Sequence, residues 1–143
     1  MIITIRRTLT ATVMLATLSA SAAAQQRAGL MGDLMKDVKD VQGKLIGLAK
    51  AVPVTKYTWR PGTGVRSVGE VFLHVAADNY VMPWGVGVPP DAATGIKMND
   101  FQSVGTFEKQ ELDQKAMVAA IEKSFAHLLQ AMSDTPDAKL NDH

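Results

Sequence analysis

The alternation of apolar and polar residues predicts three long helices. The first spans about residues 27–52, where apolar residues recur at steps of four and three, the spacing of a helix that packs in a bundle. Its stripe comprises Leu30, Leu34, Val38, Val41, Leu45, Leu48 and Val52. Charged residues fill the opposite side, and Pro53 is expected to end the helix.

The second predicted helix begins at Val68 and ends near Met82, before Pro83. Ser67 and Glu70 have the spacing of a capping box, in which each side chain accepts a hydrogen bond from the backbone of the other residue. Its predicted buried stripe consists of Val68, Val71, Phe72, Val75 and Met82. We therefore expect this helix to start sharply after the proline- and glycine-rich residues 61–64.

Residues 83–105 lack periodicity, and the third long helix follows them. This segment is predicted either to cross between bundle helices or to cover a cleft with Trp84, Val86 and Val88. The third helix is expected to begin near Glu108 or with Asp113 as its cap. Its stripe is Met117, Ile121, Phe125, Leu128 and Met132. His127 lies about 120° from the centre of that stripe and is predicted to be on the surface.

Residues 1–24 have the pattern of a signal peptide. Arg6 and Arg7 precede a short apolar run, and Ala22–Ala24 form a small-residue cleavage site before Gln25. The alternative, an uncleaved anchor, is disfavoured because Thr and Ser interrupt the run, which is shorter than the ~20 residues of a membrane span. The mature domain is thus predicted to be residues 25–143, without a stable membrane span and located in the periplasm or outside the cell.

Charge and cysteine content exclude several functions. The chain has 15 basic and 14 acidic residues, and removal of Arg6 and Arg7 leaves no excess of positive charge for binding a nucleic acid. The absence of cysteine excludes disulfides, a cysteine nucleophile and thiolate metal ligands. Any metal would therefore be held by histidine and carboxylate groups.

His74 is the residue predicted to bind a metal ion. It lies at the edge of the second stripe, one turn from Glu70 and one turn from Asp78. Asp78 is expected to orient the imidazole, the alternative being that Asp78 or Glu70 binds a metal directly. Arg60 and Arg66 are predicted to form salt bridges or solvated charges, the alternative being an anion site. Tyr57 and Trp59 are expected to hold their loop against the core, the alternative being a ligand platform.

Residues 57–80, YTWRPGTGVRSVGEVFLHVAADNY, resemble the loop and second helix of the DinB-like superfamily, named for DNA-damage-inducible proteins. The segments LAKAVP (48–53) and KSFAHLL (123–129) extend this resemblance over most of residues 30–140. The resemblance implies an all-α, up-and-down four-helix bundle, here lacking its last helix. It also implies a divalent metal, zinc or nickel, held by three histidines. His74 matches the first of these, and the other two belong to the fourth helix, before which this sequence stops.

Three alternative functions remain, of which the resemblance implies the first. The first is a metal-dependent enzyme of the thiol-transferase or hydrolase type whose remaining ligands come from elsewhere. The second is a non-catalytic binding or structural module of the cell envelope, and the third is a truncated remnant. The absent helix of a truncated chain would leave an apolar groove open, which favours a homodimer or aggregation.

Overall fold

The computed structural model describes residues 29–137, which form four α-helices joined by turns, so the predicted all-α class is confirmed. The predicted signal peptide lies outside the described residues. The helices are α1 (Leu30–Ala51), α2 (Val68–Val81), α3 (Phe101–Glu108) and α4 (Gln114–Asp134). Short 3-10 turns occupy Val54–Lys56, Met82–Val86 and Ala92–Thr94.

Helix α4 is the centre of the fold because both α1 and α2 pack along it, while α3 packs against α2. Apolar residues from all four helices and from their connections form one core. Its most completely buried large side chains are those of Phe72, Leu73, Met117 and Ile121. Asn79 of α2 also donates a hydrogen bond of 3.0 Å to the buried Ser124 hydroxyl of α4, so the contact between these helices includes one satisfied polar pair.

The start of α2 is fixed by its own sequence and by a close backbone approach. Ser67 Oγ accepts from the Glu70 N–H at 3.2 Å and Glu70 Oε2 accepts from the Ser67 N–H at 2.8 Å, which confirms the capping box. The Gly69 N–H donates to the Tyr57 carbonyl at 2.8 Å, where a Cβ on residue 69 would lie only 3.3 Å from that oxygen. Glycine thus lets the connection lie directly against the first turn of α2.

The predicted stripe of α2 is wrong in part. The buried face is centred on Phe72, Leu73 and Ala76, whereas Val71 is 47% exposed and Met82 is 63% exposed. Because α2 has apolar residues on both sides, periodicity alone did not identify the face that packs. The small Ala76 and Ala77 are fully buried, as expected where two helix backbones approach closely.

Of the two starts predicted for the third long helix, the one capped by Asp113 is confirmed and the one near Glu108 is wrong. Asp113 Oδ1 accepts from the Ala116 N–H at 2.7 Å and caps α4. Glu108 instead ends a separate helix, α3, for which the Asp100 side chain accepts from the N–H groups of Gln102 and Ser103. The prediction that residues 83–105 are irregular therefore fails at the last part of that segment.

Of the two aromatic residues expected to hold the loop, only Tyr57 does so. Its ring is buried and meets Phe72 edge-on at a centroid distance of 5.7 Å, and its hydroxyl donates to the Ala49 carbonyl at 2.7 Å. Trp59 is 57% exposed, so its expected packing role is not found.

None of the helices described has both the length and the apolarity needed to cross a membrane.

Candidate functional site

His74, on α2, lies between two carboxylates, one from α3 and one from α2 itself. Its Nδ1 is 2.8 Å from Glu108 Oε1, contributed by the last residue of α3. Its Nε2 is 3.6 Å from Asp78 Oδ2, one turn further along α2. The imidazole is 38% exposed, so solvent reaches the edge of the ring.

Glu108 connects His74 to Arg66. The Arg66 guanidinium donates to the Glu108 carboxylate through Nε at 2.8 Å and Nη2 at 3.3 Å. Burial alone would raise the pKa of Glu108, but the hydrogen bonds from Arg66 and His74 and their charges outweigh it and lower that pKa. Glu108 is therefore an anion at neutral pH and a strong acceptor for His74.

The two carboxylates determine what His74 Nε2 can do. A neutral imidazole has one N–H group, and the short contact to Glu108 assigns it to Nδ1. The Nε2 lone pair then faces the Asp78 carboxylate, and two electron-rich groups are left 3.6 Å apart. A metal ion between them would contact both the Nε2 lone pair and the carboxylate.

Arg60 and Arg66 both form the salt bridges that were predicted, and neither is left as a free anion site. Arg60 donates to both carboxylate oxygens of Glu70, Nη1 to Oε2 at 2.5 Å and Nη2 to Oε1 at 2.6 Å. Arg60 also donates to the Val65 carbonyl at 2.8 Å, so the pair stabilises the bend between α1 and α2.

A cavity of about 420 Å³ lies beside this ion pair, at the start of α2, but His74 is not among its lining residues. Tyr57, Arg60 and Glu70 line one side of it, and Leu112 and Met117 line another. Arg60 and Glu70 already neutralise each other, so the cavity does not select for ligand charge at that point. Trp84, Val86 and Val88, for which covering a cleft was one of two predicted roles, do not line this cavity.

The Arg60–Glu70 pair predicts a pH-dependent contribution to stability. Hydrogen bonds from Arg60 and from the Ser67 backbone lower the pKa of Glu70 from 4.5 to about 2. Because the pKa is lower in the folded state, this stabilisation is fully present above pH 4.5 and is lost as the pH falls towards 2. Glu70→Gln keeps an oxygen that can accept the hydrogen bond from the Ser67 N–H, but it removes the negative charge. We expect the variant to be less stable at pH 7 by up to about 1 kcal/mol, since Arg60 is half exposed.

Urea unfolding at pH 7, 5 and 3, followed by circular dichroism, measures this difference, with the exposed Glu122→Gln as a control. The curves of wild type and Glu70→Gln should converge at low pH. A constant difference across the three pH values would show that the Glu70 charge contributes nothing.

His127 is not the surface residue that its helical position predicted. It is half-buried, its ring packs against Tyr80 at a centroid distance of 5.2 Å, and its Nε2 has no hydrogen-bond partner in residues 29–137. Among these residues, no group of three or more histidine, aspartate or glutamate side chains is placed to hold a metal ion. The three-histidine set implied by the resemblance does not fit the described residues, and His74 is left with Asp78 as its neighbour on the Nε2 side.

Glu108 is the member of this site that the sequence prediction missed. It lies 34 residues from His74, and the helix that places it was not predicted.

Comparison of the chain with protein-family models, curated proteins and solved structures gives no match.

Proposed function

We propose that this chain is an exported helical-bundle protein of the DinB-like type that binds one divalent metal ion at His74. The observation that carries the proposal is the contact of 2.8 Å between Glu108 Oε1 and His74 Nδ1. Histidines that bind metals in proteins typically donate their second ring N–H to a carboxylate, which fixes the tautomer and the orientation of the ring. Glu108 has this role here and leaves Nε2 as the metal donor.

Asp78 supplies the second donor. Its Oδ2 is 3.6 Å from His74 Nε2, and the pair is spaced by one helical turn, so both groups are directed to the same place. Imidazole and carboxylate ligands suit zinc and nickel. Asp78 is 40% exposed, which leaves the remaining ligand positions to water.

The metal-dependent transferase or hydrolase chemistry implied by the resemblance is not part of the proposal. A catalytic zinc ion uses three protein donors and keeps a position open for water or substrate. The described residues offer two donors in total, His74 Nε2 and Asp78 Oδ2, which supports ion binding rather than the assembly of a catalytic centre.

A second candidate function is that of a non-catalytic structural or binding module of the cell envelope. The Arg66–Glu108–His74 contacts favour it, because they join the start of α2 to the end of α3 without any metal.

Titration of the untagged protein with zinc and nickel chloride, followed by calorimetry, separates the two candidates. We expect one ion per chain for the wild type. Asp78→Asn should weaken binding at least about tenfold, a change of about 1.4 kcal/mol. His127→Gln is the control and should bind like the wild type. If neither ion binds, metal binding is excluded and the structural module is the better account.

Export is a separate part of the proposal and rests on the signal-peptide pattern of residues 1–24. The intact mass of the protein recovered from the periplasm tests it. A chain that begins near Gln25 is expected, and a full-length chain retained in the cytoplasm would contradict export.

A further inference from the structure

Helix α1 has a second apolar side that the described residues leave uncovered. Leu34, Val41 and Leu48 are 42%, 51% and 53% exposed, although they belong to the stripe predicted to be buried. Val38 and Leu45, on the neighbouring side of α1, pack against the core instead. The exposed residues recur every seven positions and form a nearly straight line along about four turns; we call this line the α1 stripe.

We propose that the α1 stripe is the contact between two copies of this chain, with the α1 helices packed antiparallel around Val41. A two-fold axis through Val41 places Leu34 of one copy against Leu48 of the second copy, so the line of leucine and valine is complementary to itself. Homodimers commonly form through such isologous contacts, in which both copies use the same surface.

The charged residues beside the α1 stripe determine the relative direction of the two α1 helices. Asp37 and Lys44 lie on the same flank of the α1 stripe, about 40° and 60° around the helix from Val41. In the antiparallel arrangement, Asp37 comes within about 1.5 Å, along the helix axis, of the level of Lys44 in the second copy. In a parallel arrangement Asp37 would instead lie at the level of the second Asp37. Two opposite-charge pairs thus favour the antiparallel arrangement, one on each side of the axis.

Lys44 is able to make this contact. In its own chain, it donates to Asp40 at 2.8 Å, and both side chains are largely exposed. A lysine ammonium has three N–H groups, so the Asp40 contact leaves donors for a carboxylate of the second copy. The proposed interface does not depend on a metal at His74, because it involves another helix.

Sedimentation equilibrium over a range of protein concentrations, in the presence of a chelator, tests the proposal. We expect the wild type to form dimers. Val41→Glu places two carboxylates at the axis and should raise the dimer dissociation constant at least tenfold without loss of helical circular dichroism. Val65→Glu is the matched control, because Val65 is 46% exposed and lies in the connection between α1 and α2. It should leave the dimer unchanged.

The charge pair is tested separately. Asp37→Lys should weaken the dimer, and Asp37→Lys combined with Lys44→Asp should restore it, because the reversed charges again lie opposite each other. A double variant that dimerises as weakly as Asp37→Lys would overturn the antiparallel arrangement. A wild type that is monomeric at all concentrations, or a dimer indifferent to Val41→Glu, would overturn the interface. The stripe would then be covered by another part of the same chain or by nothing.

Discussion

Phe72→Ala is expected to lower the free energy of unfolding by about 3–5 kcal/mol, the usual cost of removing a buried phenylalanine ring. Phe72 is 2% exposed and its ring contacts that of Tyr57, whose hydroxyl bonds to the end of α1. The substitution therefore leaves a cavity where α2, the connection and α1 meet. Urea unfolding at neutral pH, followed by circular dichroism, measures the loss.

Val71→Ala is the matched control, because it truncates an apolar residue on the same helix one position earlier. Val71 is 47% exposed, and its truncation should cost well under 1 kcal/mol, as is usual for surface substitutions. Similar losses for the two variants would contradict the assignment of the buried face of α2, because the structure buries Phe72 and exposes Val71. The sequence pattern alone placed both residues in the buried stripe.

His74→Ala is expected to abolish the binding of zinc by the untagged protein, and Glu108→Gln to weaken it by about 10–100-fold. His74 supplies the imidazole donor, whereas Glu108 acts through the N–H on the other side of the ring. Glutamine keeps an oxygen acceptor but removes the negative charge that makes the imidazole a better donor. Calorimetric titration of the three proteins measures both changes.

Circular dichroism of His74→Ala and Glu108→Gln at the titration temperature shows whether the variants are folded. Binding of one zinc ion by folded His74→Ala would place the site elsewhere in the chain. Equal affinities for Glu108→Gln and the wild type would show that the Glu108 contact only joins α2 to α3.

Local features of the fold could be predicted from the sequence because their chemistry is contained in a few neighbouring residues. The capping box of Ser67 and Glu70, the Asp113 cap and the end of α1 before Pro53 each depend on residues within one turn of each other. These signals define three of the four helices described, and they place His74 on α2 beside Asp78.

The partner of His74 could not be predicted because it depends on the tertiary fold. The helix that carries Glu108 has eight residues, includes Gly105 and shows no apolar stripe long enough to be recognised. His127 was assigned to the surface from its angle on α4, but the Tyr80 ring of α2 extends far enough to cover it. In both cases, a side chain from another helix, rather than the local sequence, determines the environment of the histidine.

The measurement that tests the central claim most directly is the ¹⁵N NMR spectrum of the His74 ring at neutral pH, recorded during a zinc titration. The account predicts that the N–H is on Nδ1, held by Glu108, and that zinc shifts the Nε2 resonance while the Nδ1 proton remains. A ring protonated on Nε2 whose resonances do not respond to zinc would contradict it and would make His74 a structural link between α2 and α3.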